Sequence, residues 1–296
     1  MKHIVVFSKG IEEDQAPIVR ELIEKCQSVG IRVSFMKEVY DSVRRWMDLP
    51  ASMTGIGASD LTGLKDIDFL FSLGGDGTLL EASMLTNDIP IVGINMGRLG
   101  FLSSIEKKYV SQTIDRLNSG DYTLEYRSLL HFQSNEGQFE SYPYALNDMT
   151  IIKRDHSSMI VIHATLNGEF LNSYWADGII VSTPTGSTGY NLSCGGPILL
   201  PTAEDFIITP IAPHNLSVRP IVVPDIAQLE FTIEGRAENF LCTLDSRYEV
   251  ISPDCKITIR KAPHTIPLVR LPKITFTKTI RDKLQWGRDL RNYKPR

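Results

Sequence analysis

The sequence has few of the features that mark metal-binding, disulfide-bonded or membrane-spanning proteins. Among its 296 residues are four cysteines, and no two of them form a metal-ligating C-x-x-C pair. This usage argues against a zinc site or a disulfide framework and favours reduced, mostly buried thiols in the cytoplasm. No apolar run approaches the roughly 18 residues that a membrane helix needs, and the N-terminus leads directly into a strand-like HIVVF. We therefore expect no membrane partner and no signal peptide.

An excess of charge of either sign is also missing. Lys and Arg number 31 and Asp and Glu number 35, which leaves a net charge of −4. No basic stretch exceeds two or three residues before the C-terminal tail, so nucleic acid is not an expected partner. The hydrophobic content of 42% and charged content of 22% are those of an ordinary globular protein with a buried core.

Two patterns of secondary structure divide the chain. From residue 1 to 123, short apolar runs alternate with helical periodicity, which predicts a Rossmann-like α/β domain with a parallel sheet. From 124 to 271, short β-branched runs between turn residues predict an antiparallel, β-sandwich-like domain, so that the fold class is α/β plus all-β. Segment 272–296 contains a weak helical pattern at 277–286 and is a candidate for rejoining the first domain. The more local predictions are strands at 3–7, 31–36, 67–73 and 89–95, helices starting near Thr78 and covering roughly 105–117, and a hairpin turn at Asn167-Gly168.

A glycine-rich turn, Gly74-Gly75-Asp76-Gly77-Thr78, follows a predicted buried strand. Glycines let backbone N–H groups approach phosphate oxygens, and Thr78 is placed to cap the following helix. Ligands of open α/β sheets bind at the carboxyl ends of strands, where this turn lies. The P-loop pattern is absent, and the alternative is a tight turn in which Asp76 only caps a helix. A carboxylate in a phosphate site needs an explanation.

Two shorter stretches are candidates for ligand contacts. In NMGRLGFL, which follows the next predicted strand, Phe101 is placed to pack on a planar ring. Its alternative is a loop whose apolar side chains fold back into the core. In ALND, Asn147 and Asp148 combine donors and acceptors that suit a base edge or a ribose. The alternative is an ordinary Asn-Asp turn.

The longest candidate stretch is ADGIIVSTPTGSTGYNLSCGGPI, residues 176–198. Its segment 183–193 consists mostly of Thr, Gly, Ser, Tyr and Asn, a density of hydroxyls and bare backbone that suits a phosphorylated, polyhydroxylated ligand. Asp177, just before the predicted strand, is placed to take a ribose hydroxyl pair or a metal. A solvated polar loop is the alternative.

Five motifs in a fixed order resemble those of the NAD kinase family, which makes NADP from NAD and ATP. They are GGDGT, NMGRLGFL, ALND, DGIIVSTPTGSTGYNLSCGGPI and PIAPHNLSVRPIVVP, and they span about residues 71–224. GGDGT alone is shared with diacylglycerol kinases, sphingosine kinases and 6-phosphofructokinases, whereas the Thr-Pro-Thr-Gly-Ser-Thr run is typical of NAD kinases. The chain departs from the family pattern at Asp148 (often Glu), at Gly189 (commonly Ala) and at Glu81, where many members carry a basic residue.

The resemblance implies roles for these residues. Asp76 is implied as the general base on the 2′-hydroxyl of the adenosine ribose of NAD, with ATP as co-substrate and Mg²⁺ as the divalent metal. Phosphate and ATP binding is expected of Gly74, Gly75, Gly77 and Thr78. The implied NAD-binding residues are Asp76, Gly77, Phe101, Asn147, Asp148, Asp177, Thr188, Gly189, Tyr190, Asn191, Leu192, Ser193 and Ala212. Family members are usually oligomeric, so a homodimer or homotetramer is expected.

Two other functions are compatible with parts of the pattern. A lipid kinase of the diacylglycerol or sphingosine type would share GGDGT, but it needs an acyl pocket or a membrane-facing surface, and no amphipathic basic helix is visible. A non-catalytic NAD(P) sensor would keep the pocket and is expected to lose the acid of GGDGT. Asp76 is intact, so NAD kinase is the function predicted.

Overall fold

The computed structural model describes residues 1–50, 53–57, 61, 64, 66–154 and 159–286. The chain forms two compact units: the first contains residues 1–125 and those from 266 onward, and the second contains residues 126–265. The chain passes between them within two long strands, Thr123–Ser134 and Ile257–Arg270. The predicted domains, 1–123 with the candidate segment 272–296 and 124–271, stay a prediction.

A parallel sheet forms the centre of the first unit, with the order β5-β4-β1-β2-β3, and β6 pairs with β5. Strands β4 and β5 are buried along their whole length, because a parallel sheet covered on both faces has no solvent side. The strands of this unit are β1 (His3–Phe7), β2 (Arg32–Met36), β3 (Gly55–Ile56), β4 (Phe69–Leu73), β5 (Ile91–Asn95) and β6 (Ile105–Glu106).

The helices of the first unit follow the predicted pattern with two corrections. Its helices are α1 (Ala16–Ser28), α2 (Lys37–Val43), α3 (Asp76–Ser83), α4 (Val110–Ser119) and α6 (Phe276–Leu284). Helix α4 begins later than predicted because Ile105 and Glu106 pair with β5. Helix α2 was not predicted, whereas a helix within 277–286 was, and α6 confirms it.

The predicted capping role of Thr78 is wrong. Helix α3 begins at Asp76, and its N-cap is Gly75, which makes no side-chain capping bond. Thr78 is therefore inside the first turn and is buried. A Cβ at Gly74 would lie 2.3 Å from Thr78 Oγ1, so the absence of a side chain at Gly74 makes room for Thr78.

The second unit contains two antiparallel sheets that share one apolar core. One sheet has the order β14-β13-β12-β9-β16-β17, and the other contains β11-β10-β15-β18. Met149, Ile179 and Phe206 of the first sheet join Ile162 and Phe231 of the second in a single buried cluster. The predicted class, α/β followed by a β-rich domain, is confirmed. The remaining elements are β7 (Thr123–Ser134), β8 (Tyr144–Ala145), β9 (Asp148–Lys153), β10 (Ile160–Leu166), β11 (Glu169–Ala176), β12 (Gly178–Ser182), α5 (Tyr190–Ser193), β13 (Asp205–Ile211), β14 (Ile221–Pro224), β15 (Leu229–Glu234), β16 (Phe240–Leu244), β17 (Arg247–Ile251) and β18 (Ile257–Arg270).

The local chemistry of the turns and thiols agrees with the sequence. Asn167 and Gly168 join β10 to β11 with φ of 53° and 82°, the left-handed pair that a tight hairpin needs. All four cysteines are free thiols, and Cys26, Cys242 and Cys255 are buried. No helix among the described residues is long and apolar enough to cross a membrane.

Candidate functional site

Asp76 is held by the loop that follows β5. Its Oδ2 accepts a hydrogen bond from the backbone N–H of Phe101 at 2.8 Å, and its Oδ1 accepts bonds from the N–H groups of Leu102 and Ser103, both at 3.0 Å. We call this arrangement the first amide clamp. It joins the GGDGT turn to the NMGRLGFL loop, so these two motifs form one site within the first unit.

The glycines around Asp76 have different roles. A Cβ at Gly100 would lie 1.9 Å from Asp76 Oδ1, so the clamp leaves no space for a side chain there. Gly75 and Gly77 are exposed, and no atom lies within 4 Å of the position that a Cβ would take. These two glycines present bare backbone at the carboxyl end of a parallel strand, which is what a phosphate-binding turn requires.

Phe101 packs within the protein. The ring is 9% exposed, its centroid lies 6.4 Å from that of Phe276 on α6, and Lys283 Nζ lies 4.5 Å from the same centroid. This is the packing alternative stated for the loop. A stacking role for Phe101 on a ligand stays a prediction and would require the ring to leave these contacts.

A second carboxylate, which the sequence analysis did not identify, holds the ALND motif. Asp245 lies in the turn between β16 and β17 with φ of 53° and is partly buried. Its carboxylate accepts hydrogen bonds from the N–H groups of Leu146, Asn147 and Asp148 at 2.8, 2.8 and 3.1 Å. We call this the second amide clamp. An Asp-Ser hairpin turn is so common that nothing in its sequence marks it as part of a site.

The second clamp places the buried acid Asp148 next to the partly buried acid Asp245. Burial, followed by the nearby charge of Asp245, raises the pKa of Asp148 to about 8. Burial also raises the pKa of Asp245, although its three amide bonds and Arg247 oppose the shift. Asp148 is therefore protonated at neutral pH and offers both a donor and an acceptor.

Asn147 presents a buried acceptor without a partner. Its backbone is held on both sides, because the N–H binds Asp245 and the C=O accepts from Thr183 N at 2.9 Å. Its side-chain Oδ1 is buried and has no hydrogen-bond partner in the described part of the chain. Gly186 packs directly on the Asn147 backbone, since a Cβ there would lie 2.2 Å from the Asn147 oxygen.

The hydroxyl-rich segment 183–193 uses many of its polar groups internally. Thr183 Oγ1 donates to Leu146 O at 2.6 Å, and the Asn191 amide donates to Ser187 O and Pro197 O, both at 3.0 Å. Asn191 Oδ1 accepts from Thr209, so both polar atoms of this side chain have partners within the protein. Its predicted contact with NAD stays a prediction, and the structure shows a fold-stabilising role for the side chain. The members that are partly buried or exposed are Thr188, Gly189, Tyr190, Leu192 and Ser193.

Two further predicted residues lie at the ends of strands in the second unit. Asp177 forms an ion pair with Lys153, with Nζ 2.6 Å from Oδ1. Lys153 was not predicted, because its position depends on the pairing of Ile152 with Gly178. Ala212 is exposed and has φ of 45°, an uncommon conformation for a residue other than glycine. Among the described residues, no group of three or more His, Cys, Asp or Glu side chains is placed to hold a metal ion.

Two parts of the chain match domain families of known proteins. The ATP-NAD kinase N-terminal domain family matches residues 58–122, and the ATP-NAD kinase C-terminal domain family matches residues 146–271. NAD kinase of Cytophaga hutchinsonii is 47% identical to this chain, and the match covers 97% of this chain and 99% of the relative. NAD kinase of Flavobacterium psychrophilum is also 47% identical, and the match covers 98% of this chain and 99% of the relative.

Solved structures of low sequence identity share the fold. A yeast NADH kinase, crystallised with NADH, superposes with a TM-score of 0.87 at 22% identity and covers 99% of this chain and 90% of its own. An NAD kinase from Archaeoglobus fulgidus, in complex with ATP, superposes with a TM-score of 0.73 at 24% identity. The superposition covers 96% of this chain and 99% of the Archaeoglobus chain.

The fold and the matched domains define an ATP-dependent kinase that phosphorylates a dinucleotide. The chain belongs to the NAD kinase family. It transfers the γ-phosphoryl group of ATP to the 2′-hydroxyl of the adenosine ribose of NAD and forms NADP. The lipid-kinase and sensor alternatives are not favoured.

Titration of Asp148 makes stability depend on pH. The folded chain keeps this proton up to pH about 8, whereas an unfolded Asp loses it near pH 4, so the folded state binds more protons between these values. The free energy of unfolding should therefore fall as the pH rises through this window. D148N lacks this titrating group, so its free energy of unfolding should fall less steeply with pH, by up to about 1.4 kcal/mol per pH unit. Denaturant unfolding at pH 5 to 8 measures it, and parallel profiles for both proteins would contradict the assignment.

The first clamp can be broken without removing its carboxylate. In G100A the new methyl would overlap Asp76 Oδ1, so the carboxylate or its loop must move. A displacement of about 1 Å can cost up to roughly 10²-fold in rate, and we expect G100A to lower the initial rate of NADP formation at least about tenfold. G97A is the matched control, since nothing lies within 4 Å of the added methyl. Equal rates for the two variants would mean that the clamp does not matter for turnover.

Proposed function

We propose that Asp76 is the general base of the reaction. In this proposal the carboxylate takes the proton of the NAD 2′-hydroxyl while that oxygen attacks the γ-phosphorus of ATP. The bond from the γ-phosphorus to the bridging oxygen breaks, and ADP leaves with the electron pair. The new phosphate ester is the 2′-phosphate of NADP.

The geometry of the first amide clamp supports this assignment. A carboxylate offers about four acceptor positions, and the three amide bonds occupy one position on Oδ2 and two on Oδ1. Oδ2 therefore keeps one acceptor position, and we assign it to the 2′-hydroxyl. The clamp holds the base in one orientation, so little reorganisation is needed when the hydroxyl arrives.

One observation, the unpartnered Oδ1 of Asn147, is the main support for the proposed NAD contacts. A buried acceptor without a donor is costly, and a donor on NAD, such as an amino or hydroxyl group, would remove that cost. The neighbouring protonated carboxyl of Asp148 offers a further donor. We assign NAD contacts also to Asp177, held by Lys153, and to Ala212, whose uncommon φ suits a constrained site. The remaining proposed contacts are Gly77, Phe101, Thr188, Gly189, Tyr190, Asn191, Leu192 and Ser193.

ATP is proposed to bind with its phosphates on the turn formed by Gly74, Gly75, Gly77 and Thr78. Mg²⁺ is commonly bound by one or two carboxylates together with substrate phosphates. Both Asp76 oxygens already accept amide bonds, and the described residues contain no cluster of three or more His, Cys, Asp or Glu side chains that could hold a metal ion. The residues present fit a metal that is held mainly by ATP, where it would neutralise charge on the phosphates.

We further propose that the protein forms a homodimer or homotetramer in the cytoplasm. The free state of all four thiols supports a reducing compartment. Exposed aromatic side chains on β11, Phe170 at 64% and Trp175 at 55%, support contact with another copy. Light scattering coupled to size-exclusion chromatography measures the assembly, and a monomer at all concentrations would contradict it.

The assignment of Asp76 is tested with D76N. The substitution keeps the size of the side chain, removes the base and replaces one of the two clamp oxygens by an NH₂ group that cannot accept an amide bond. We expect kcat to fall by roughly 10² or more, the scale of a lost general base. Calorimetry should show NAD binding within about threefold of wild type. Phosphorus NMR of the wild-type product should show a 2′-phosphate. A D76N variant with nearly normal kcat would remove Asp76 from the chemistry.

Asn147 is tested by truncation. N147A removes the buried acceptor that we assign to NAD, and it should raise the KM for NAD about tenfold or more, since a lost hydrogen bond costs roughly 1–3 kcal/mol. The KM for ATP should stay unchanged. If N147A binds NAD normally by calorimetry, the amide is only part of a turn.

A further inference from the structure

Lys9 lies in the loop next to the glycine turn. Strands β1 and β4 are parallel neighbours, with Phe7 paired to Ser72. The residues that follow both strands therefore emerge at the same edge of the sheet, where ligands of such sheets bind. Lys9 comes two residues after Phe7, and Gly74 comes two residues after its partner Ser72, so each lies just beyond the end of its strand.

The ammonium of Lys9 is fixed on helix α3. Its Nζ lies 2.5 Å from Glu81 Oε1, and the two side chains are 51% and 36% exposed. Glu81 follows Gly77 by four residues, and residues at this spacing lie on the same face of a helix, about 6 Å apart. Gly77 has open space where a side chain would be. The cation is thus held one helical turn from the bare backbone of the turn.

The loop that carries Lys9 is itself anchored. Ser8 Oγ donates to Gly10 O at 2.8 Å, Ile11 N donates to Ser42 Oγ at 2.8 Å, and Trp46 Nε1 donates to Ile11 O at 2.8 Å. An exposed ion pair contributes little to stability by itself, so stability does not explain the Lys9–Glu81 pair. A cation at this place would attract a polyphosphate with several negative charges.

We propose that Lys9 binds the polyphosphate of ATP and that Glu81 positions the Lys9 ammonium for it. This inference rests on the proposed ATP site at the glycine turn. Glu81 partners the ammonium when ATP is absent, and the phosphate oxygens take over as acceptors when ATP binds. Glu81 is thus a positioning residue, whereas Lys9 contacts the substrate.

The test compares K9M with a matched control. K25M removes another lysine of the first unit, which is paired to Asp115 at 2.6 Å on α4. We expect K9M to raise the Kd for ATP about tenfold or more, the scale of a lost charge-assisted bond, with the Kd for NAD unchanged. K25M should leave both constants unchanged. In K9M/E81K the cation moves to the helix, and part of the ATP affinity should return.

The outcomes separate this inference from the function on which it rests. If the Kd of K9M for ATP lies within about twofold of that of K25M, the role of Lys9 is overturned. In that case, NADP formation by the wild-type protein would still support the proposed ATP site. Equal loss of ATP and NAD affinity in K9M would also overturn it, because a phosphate contact affects ATP alone. A wild-type protein that fails to bind ATP would overturn both.

Discussion

A carboxylate that accepts three successive backbone amides is the interaction on which one motif loop in each unit depends. Asp76 holds residues 101–103 in the first unit, and Asp245 holds residues 146–148 in the second. In each case one oxygen takes one amide and the other takes two. Residues 101–103, Leu146 and Asp148 are also buried, so packing and these charge-assisted bonds together give the motif residues a defined position.

The clamps also explain why acids occur in a site for polyanions. The charge of Asp76 is partly neutralised by amide dipoles, and Asp148 is kept protonated by burial and by Asp245. Other acids near the predicted ligands are paired with lysines, as Asp177 is with Lys153. The acids are therefore compatible with a nearby phosphate, and in the proposed function each offers a donor or an acceptor to the substrate.

Much of the fold follows from local sequence, whereas the site depends on register and long-range contact. The buried strand before GGDGT and the Asn167-Gly168 hairpin are visible because periodicity and turn chemistry act over a few residues. Asp245 could not be predicted, because its amide partners lie 97 to 99 residues away. Lys153 meets Asp177 only through the pairing of β9 with β12. The composition of residues 183–193 suggested more hydroxyls free for a ligand than the structure has, because several of them donate hydrogen bonds to backbone carbonyls of the protein.

Residue-resolved hydrogen exchange of the six clamped amides, residues 101–103 and 146–148, tests the account most directly. Hydrogen-bonded amides exchange only when the local structure opens. All six should exchange far more slowly than amides in an unstructured peptide. Replacement of Asp76 by Ala should release residues 101–103 while 146–148 stay protected. Fast exchange of these amides in the wild-type protein, or no change in D76A, would contradict the claim that each carboxylate holds its loop in place.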